Sequence, residues 1–282
     1  MNKRFISFLA LAIIFTNIFS QVEMDLKNYK YIEPILKPVF RKSKSDGNIK
    51  RRLSKPHTCI KKNIGYSTNW SGYAALTNLT NPAMNSVTYI SGSWKVPKLS
   101  STKGTSYSAA WVGIDGFVSP TVEQLGTEHD WYGGAQHNYA WYEMYPSASF
   151  EFSNFPIHVG DSITATVTYL GNNTFLLALF NNTKKTRTQV SKSSTSAQRS
   201  SAEWIMEAPC CTNSGDVLPL SDFNQIKFFN CSCKIKNVTG AINNIKWKNQ
   251  TLDMVTNNST LKAVTSGLTN GGKNFSVIWK HA

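Results

Sequence analysis

The chain has 282 residues, of which 41% are hydrophobic and 12% aromatic, a composition typical of a globular protein with a substantial core. Only 16% of the residues are charged, so the surface is polar but carries few ionisable groups. The formal net charge of +14 would suggest a nucleic-acid partner if it were spread evenly. However, residues 1–62 carry 14 Lys and Arg against 4 Asp and Glu, whereas residues 63–282 carry 16 against 12. The basic excess belongs to an N-terminal segment, and no nucleic-acid partner is expected for the body.

Residues 1–20 have the pattern of a secretory signal peptide. Lys3 and Arg4 precede an apolar stretch over residues 5–19, and the small residue Ser20 follows. The stretch is shorter than the ~20 apolar residues that a transmembrane helix needs, and no later window approaches that length. We therefore expect a secreted protein, extracellular or periplasmic, with no membrane contact after signal cleavage. A retained N-terminal anchor is the alternative.

Residues 21–62 form a basic segment that we interpret as a pro-segment. The segment contains 12 Lys and Arg, and Pro34, Pro38 and Pro56 interrupt any long helix. A cationic strap over a carboxylate-lined cleft would be held by charge at neutral pH and loosened when acid neutralises the carboxylates. A disordered basic arm is the alternative.

Residues 63–282 carry strand signals to the end of the chain and no long amphipathic helical window. Clear strand signals cover residues 87–96, 162–169, 174–180, 226–230 and 274–279. Turns such as Gly171-Asn172-Asn173 separate them. The pattern predicts one all-β domain, a large sandwich or barrel.

The five cysteines are Cys59, Cys210, Cys211, Cys231 and Cys233. Removal of the pro-segment leaves four, an even number that is consistent with two disulfides in an oxidising compartment. Because a bond between the adjacent Cys210 and Cys211 would be strained, we predict that they pair with Cys231 and Cys233, in an order that the sequence does not fix. A zinc site is the alternative, but neither pair has the usual C-x₂₋₄-C spacing. We expect no metal and no cofactor.

Residues 107–146 are dense in aromatic side chains, small residues and carboxylates. The motif WVGIDG runs into a turn in which Asp115 and Gly116 permit positive φ, and the motifs VEQLG and YAWYEMYP then alternate with period two. These signals indicate neighbouring strands of one sheet, with an aromatic face that also carries hydrogen-bonding groups. We expect this face to form a cleft for an extended polymer.

The catalytic motifs of most hydrolases are missing from the chain. It has no GxSxG motif, no HExxH motif and no catalytic-looking Cys, and its five His show no pairing pattern. Carboxylates and amides remain, in two aromatic strands. Alternation places Glu123 and Gln124 on opposite faces of the first strand. In the second, Glu203 shares a face with Ile205, and its burial there would be costly without partners, which marks it as a candidate functional group.

Five motifs in order resemble the glutamic peptidases, or eqolisins, and are most similar to the bacterial members. They are NWSGY (69–73), WVGIDG (111–116), VEQLGTE (122–128), YAWYEMYP (139–146) and SAEWIMEAP (201–209). The resemblance implies a β-sandwich of two large antiparallel sheets. It also implies a catalytic pair on neighbouring strands of the cleft, a Gln and a Glu, which by motif are Gln124 and Glu203.

The resemblance implies a role for each member of the pair. Ionised Glu203 would act as general base on the attacking water and then as general acid to the leaving amine. Gln124 would donate its amide N–H to the oxyanion, while its carbonyl orients the water. Trp70 and Trp111 would line the substrate groove.

The same resemblance assigns supporting roles to further carboxylates. Asp115, Glu128 and Glu143 would supply the hydrogen-bond network that tunes Glu203. Glu123 is expected on the far face, as a structural or surface residue. The cysteines near the active-site strands of fungal members are missing here, so the fungal disulfide pattern is not transferred.

The sequence therefore predicts a secreted, monomeric, acid-active endopeptidase that acts on polypeptides. The basic body differs from the acidic fungal members and leaves the pH optimum open. Two other functions stay open: a β-sandwich glycosidase that uses Glu143 and Glu203, and a non-catalytic carbohydrate-binding module that uses the tryptophans.

Overall fold

The computed structural model describes residues 26–42, 48–50, 58–61, 64–101, 104–209 and 217–281. The predicted signal peptide lies outside the described residues. The strands are β1 (Lys30–Tyr31), β2 (Leu36–Pro38), β3 (Phe40–Lys42), β4 (Asn48–Lys50), β5 (Thr58–Lys61), β6 (Ile64–Ser67), β7 (Trp70–Leu76), β8 (Val87–Lys95), β9 (Ser106–Ile114), β10 (Val122–Tyr132), β11 (Ala135–Tyr145), β12 (Phe150–Phe152), β13 (Ser162–Gly171), β14 (Thr174–Asn181), β15 (Thr186–Ser193), β16 (Ser201–Glu207), β17 (Gln225–Ile235), β18 (Val238–Gly240), β19 (Lys248–Val255), β20 (Leu261–Thr265) and β21 (Phe275–Trp279).

The strands form two facing layers. The first layer, here called the cleft sheet, has the order β12-β11-β10-β9-β16-β7-β19. The second, the back sheet, has the order β15-β14-β13-β8-β17-β21-β20. Pairing of β19 with β20 joins the layers along one side. The predicted all-β sandwich of two large antiparallel sheets is confirmed.

The main core lies between the two layers and is rich in aromatic residues. Trp94 and Trp204 are fully buried there, and each indole N–H is satisfied: Trp94 Nε1 donates to Thr127 Oγ1 at 2.8 Å and Trp204 Nε1 to the Ser91 carbonyl at 2.8 Å. Gly92 makes room for this packing, because a Cβ at that position would lie 2.7 Å from Trp204. The core thus fixes the back of the cleft sheet and leaves its other face for the site.

Each predicted strand segment lies in or overlaps a strand of the structure, β8, β13, β14, β17 or β21. The predicted positive φ angles at the end of β9 are also present, 73° at Asp115 and 112° at Gly116. The turn between β13 and β14 has positive φ at all three predicted residues.

The predicted disulfides to β17 are wrong. Cys231 and Cys233 are free, buried thiols. They lie two residues apart on one strand, so both side chains point into the core. Burial raises the pKa of both thiols. Cys210 and Cys211 lie outside the described residues.

Candidate active site

The motif residues of β10, β9 and β16 meet in one row across the cleft sheet. Gln124 lies opposite Gly113, and Gly113 lies opposite Glu203. From β7 to β11 this row, here called the Gln–Glu row, contains Ala74, Glu203, Gly113, Gln124 and Glu143. Directly opposed residues point to the same face, here called the cleft face.

Gly113 creates the space between the two predicted catalytic residues. With strands ~4.8 Å apart, the Cα atoms of Gln124 and Glu203 are separated by about 10 Å. A Cβ on Gly113 would lie 3.1 Å from the Cβ of Gln124. Trp111 and Val122 would also lie within 3.2 Å of that Cβ, so a side chain at this position would crowd the space between Gln124 and Glu203.

Gln124 is fully buried and oriented by a neighbour. Its Nε2 donates a hydrogen bond to Glu143 Oε2 at 2.8 Å. Its Oε1 has no hydrogen-bond partner among the described residues. The amide nitrogen has two N–H groups, so one is fixed by Glu143 and the second stays available to a ligand.

Glu203 is fully buried, and neither carboxylate oxygen makes a hydrogen bond of regular geometry with a described residue. Burial raises the pKa of Glu203 well above its ordinary value. The Ser201 hydroxyl and the Phe117 backbone N–H lower this pKa in part, while Asp115 and Glu123 raise it further. A carboxyl group with a raised pKa binds its proton strongly, which suits a group that exchanges protons.

Asp115 lies at the turn after β9 and is saturated with donors. Its Oδ1 accepts hydrogen bonds from the backbone N–H and the hydroxyl of Ser200, both at 2.8 Å. Its Oδ2 accepts from the N–H groups of Gln198 at 2.7 Å and Arg199 at 2.6 Å, and from Thr121 Oγ1 at 3.4 Å. Asp115 therefore anchors the loop that enters β16.

Trp70 and Trp111 form an edge-to-face pair on the cleft face, with ring centroids 4.9 Å apart. Both are buried, in one apolar cluster with Trp141 and Ile205. The sequence reasoning missed the residue that holds Trp111: Glu207 Oε2 accepts the Trp111 indole N–H at 2.7 Å. Its position four residues after Glu203 on the same strand was the available signal, because alternation gives both the same face.

The other predicted carboxylates separate into near and far groups. Glu143 contacts Gln124 directly. Glu128 lies in the row of Ala109 and Glu207, so it shares the cleft face but is about 13 Å along the strand from Gln124. The structure therefore does not bring Glu128 close to Glu203.

Glu123 lies on the opposite face from Gln124, as alternation predicts, but it is buried, so the surface alternative is wrong. Ser194 Oγ donates to its Oε1 at 3.0 Å. Burial raises the pKa of Glu123 well above its ordinary value, and nearby Asp115 adds to the effect. Ser194 lowers this pKa in part.

Two other site chemistries receive no support from the geometry. Glu143 and Glu203 are three strand spacings apart in the row, and Gln124, which is hydrogen-bonded to Glu143, lies between them. This arrangement does not favour the approach of two carboxyl groups to about 5–5.5 Å that a retaining glycosidase needs. In the part of the chain that the structure describes, no group of three or more His, Cys, Asp and Glu could hold a metal ion. The same part contains no helix that is long and apolar enough to span a membrane.

Part of the predicted pro-segment also reaches the cleft face. Val39 is 4% exposed and belongs to the same apolar cluster as Trp70, Trp111 and Trp141. β2, which precedes it, pairs antiparallel with β12 at the edge of the cleft sheet.

Comparisons with known proteins agree with this geometry. Scytalidopepsin B of Scytalidium lignicola is 36% identical over 151 residues, which cover 51% of this chain and 57% of that protein. Aspergillopepsin-2 of Aspergillus niger is 30% identical over 192 residues, 60% of this chain and 64% of that protein. The matches thus span somewhat over half the length of these curated relatives.

Solved structures resemble the fold over a larger share. A scytalido-glutamic peptidase with a transition state analog inhibitor superposes with a TM-score of 0.63 at 27% identity, over 76% of this chain and 98% of that one. An aspergilloglutamic peptidase from Aspergillus niger, at 24% identity, has a TM-score of 0.53 over 62% and 99% and supports the fold alone. The model of the Peptidase A4 family matches residues 68–279, which include all five motifs and both predicted catalytic residues. The chain therefore belongs to the Peptidase A4 family.

Proposed function

We propose that the chain is an endopeptidase that hydrolyses polypeptides with Glu203 as general base and acid and Gln124 as oxyanion donor. One observation carries the proposal: Glu203 and Gln124 flank the side-chain-free Gly113 on one face, and Glu203 is fully buried without a hydrogen bond of regular geometry from a described residue. A structural carboxylate would be expected to have partners.

The reaction follows from these positions. Ionised Glu203 takes a proton from a water molecule, whose oxygen bonds to the carbonyl carbon of the substrate. The second N–H of Gln124 donates to the oxygen that becomes negative, while Glu143 holds the amide in place. Glu203 then passes its proton to the amine nitrogen as the carbon–nitrogen bond breaks. An amide suits this position, because an ionised carboxylate could not donate to an oxyanion.

Two groups with raised pKa values make activity and stability depend on pH in opposite directions. Glu203 must be ionised to act as base, so activity should rise as the pH rises through its raised pKa. Titration of Glu123 acts on stability instead, and in the opposite direction. Because its pKa is raised in the folded state, the folded chain holds that proton more strongly than the unfolded chain, and stability falls as the pH rises through this pKa.

One assay tests the proposed class. The purified, matured protein is incubated with denatured protein, with xylan and with glucan at about pH 3 to 6. We expect new peptide termini and no release of sugar. Sugar release without proteolysis would overturn the proposal, and so would binding of polysaccharide without any hydrolysis.

We also propose that the secreted precursor is latent until the segment before about residue 62 is removed in acid. The position of Val39 on the cleft face supports latency of the precursor. The sequence suggested that charge attraction holds the segment, whereas the described contacts are mainly backbone pairing and apolar packing. Mass spectrometry of acid-treated protein should find an N-terminus near Asn63. A fully active chain that begins at Gln21 would contradict latency.

A further inference from the structure

The described part of the pro-segment is bound to the body as an added strand. β2 pairs antiparallel with β12, with Lys37 opposite Glu151. We call β12 with its flanking Ser149, Ser153 and Asn154 the docking strip. Because β12 would otherwise be an edge of the cleft sheet, the strip is a place where an extended chain can pair through its backbone.

The docking strip contacts the backbone of the segment at both ends of β2. The N–H of Val39 donates to the Ser149 carbonyl at 3.0 Å. At the other end, the Ile35 carbonyl accepts from the Ser153 N–H at 2.8 Å and from the Ser153 hydroxyl at 2.9 Å. These contacts use groups that every extended polypeptide has.

Asn154 acts as a clamp on the same backbone. Its Oδ1 accepts the N–H of Ile35 at 2.9 Å, and its Nδ2 donates to the carbonyl of Glu33 at 2.7 Å. One side-chain amide therefore satisfies a donor and an acceptor two residues apart, as a neighbouring strand would. The clamp depends on the extended conformation of the ligand and not on its side chains.

Two side-chain positions of the ligand are also recognised. Tyr142 lies opposite Phe150, and Phe150 lies opposite Pro38. The next residues along these three strands are Glu143, Ser149 and Val39, so Val39 continues the Gln–Glu row beyond Glu143. Its side chain is buried in the apolar cluster of the cleft face.

Glu151 provides the second position. Burial raises the pKa of this carboxyl, and Lys37 opposite it lowers that pKa. Tyr132 is a second titratable group near Glu151. Burial raises the pKa of Tyr132, and the neighbouring Asp130 and Glu151 raise it further. An ionised Glu151 thus favours a basic ligand residue two positions before the apolar one.

We propose that the docking strip is a distal substrate-binding site, which holds an extended stretch of a polypeptide substrate once the pro-segment has left it. The site takes an apolar residue where Val39 lies and prefers a basic residue where Lys37 lies, while Asn154 clamps the backbone. The proposal rests on the proposed peptidase function. Val39 is about three strand spacings, or ~14 Å, from Gln124, a distance that roughly four extended residues span.

Asn154→Ala tests the clamp through substrate length. Two matched substrates share one scissile sequence: a short one of about four residues, and a long one of ~12 residues that reaches the docking strip. Loss of two neutral hydrogen bonds should lower the ratio of kcat/KM for the long over the short substrate by about 5–30-fold, through KM. Asn81→Ala is the control, because Asn81 is exposed and its side chain makes no hydrogen bond with the described residues. An unchanged ratio in Asn154→Ala would overturn the proposal.

A second measurement does not need turnover. A site for a specific protease is inserted between residues 42 and 48 of the full chain carrying Glu203→Gln, and the folded protein is cut there to free the segment. A labelled peptide with Lys two positions before Val should bind, as fluorescence anisotropy reports, and should bind about 5–30-fold more weakly when Asn154→Ala is added. Equal binding, or no binding to either protein, overturns the docking strip as a substrate site. Peptide binding without proteolysis by the matured wild-type enzyme would instead reject the proposed function.

Discussion

Asp115 and Glu203 are both fully buried carboxylates, yet their surroundings differ in the number of donors offered to them. Asp115 accepts five hydrogen bonds from a short loop and one threonine. Glu203 accepts none of regular geometry from the described residues. Burial of a charge without donors costs several kcal/mol in general, so the fold holds Glu203 in an unfavourable state that Asp115 avoids.

The difference is the one expected between a structural carboxylate and the proposed general base. Four of the five hydrogen bonds to Asp115 come from residues 198–200, directly before β16, and they fix the start of the strand that carries Glu203. The saturated group therefore positions the unsaturated one. Substitutions at the two sites should accordingly affect different properties, stability at Asp115 and chemistry at Glu203.

Glu203→Gln should have the largest effect. The substitution keeps size and removes the base, so peptide hydrolysis should fall by at least about 10²–10⁴-fold. Folding should be intact, and stability at neutral pH should rise, because a neutral amide replaces a buried acid whose pKa is raised. Steady-state kinetics and thermal unfolding would measure both. Retention of most activity would remove Glu203 from the mechanism.

Gln124→Ala should follow, with a loss of kcat on the order of 10²–10³-fold and a much smaller change in KM. The substitution deletes the proposed oxyanion donor and the hydrogen bond between Gln124 and Glu143. The losses at Gln124 and Glu203 should not add, because both residues act in one transition state of the proposed reaction. If Glu123→Gln abolishes activity while Gln124→Ala is mild, the assignment is wrong by one residue.

Asp115→Ala should act on stability. Five donors lose their acceptor and the loop before β16 loses its anchor, so the free energy of unfolding should fall by about 2–5 kcal/mol. Denaturant unfolding would measure the change. Asp115→Asn is the matched control and should lose less, since an amide oxygen still accepts some of these bonds. Full stability in Asp115→Ala together with loss of activity would reverse the distinction between the two carboxylates.

Glu123→Gln should have a small effect that depends on pH. Glu123 has a raised pKa, so it contributes stability below the ordinary pKa of a glutamate and loses it as the pH rises through the raised value. The substitution should change stability little in acid and increase it towards neutral pH, by about 1.4 kcal/mol for each unit of the pKa shift. Unfolding curves at several pH values would test the trend. A gain of equal size at every pH would exclude titration of Glu123 as its cause.

Local patterns were enough to predict the strands and the faces of the candidate site. The alternation around Glu123 and Gln124, and the positive φ at Asp115, depend on neighbours in the sequence. The register that places Gln124 and Glu203 on one row depends on strands 79 residues apart, which both pair with β9. Periodicity does not encode such pairing, and the motif resemblance supplied it instead.

The wrong disulfide prediction, the distant position of Glu128 and the missed contact of Val39 have the same origin. Cysteine number predicted disulfides, but the side chains of Cys231 and Cys233 share the inward face of one strand and fill the core. Glu128 has the right face but lies about 13 Å along the strand from Gln124. The burial of Val39 depends on a contact between the N-terminal segment and a distant edge strand. Each case depends on which residues that are far apart in the sequence lie close together in the fold, and a short motif does not contain that information.

Reagents directed at other peptidase classes should have the smallest effect. Chelators and serine-directed reagents should leave activity unchanged, because no metal and no serine takes part in the proposed reaction. Thiol-directed reagents should do the same, since Cys231 and Cys233 are buried and their raised pKa values keep them as unreactive thiols. Activity after each treatment and mass mapping of the two cysteines would check this. Modification of either thiol in the native protein would contradict its placement in the core, and complete loss of activity with a chelator would end the assignment of Glu203 and Gln124 as the catalytic pair.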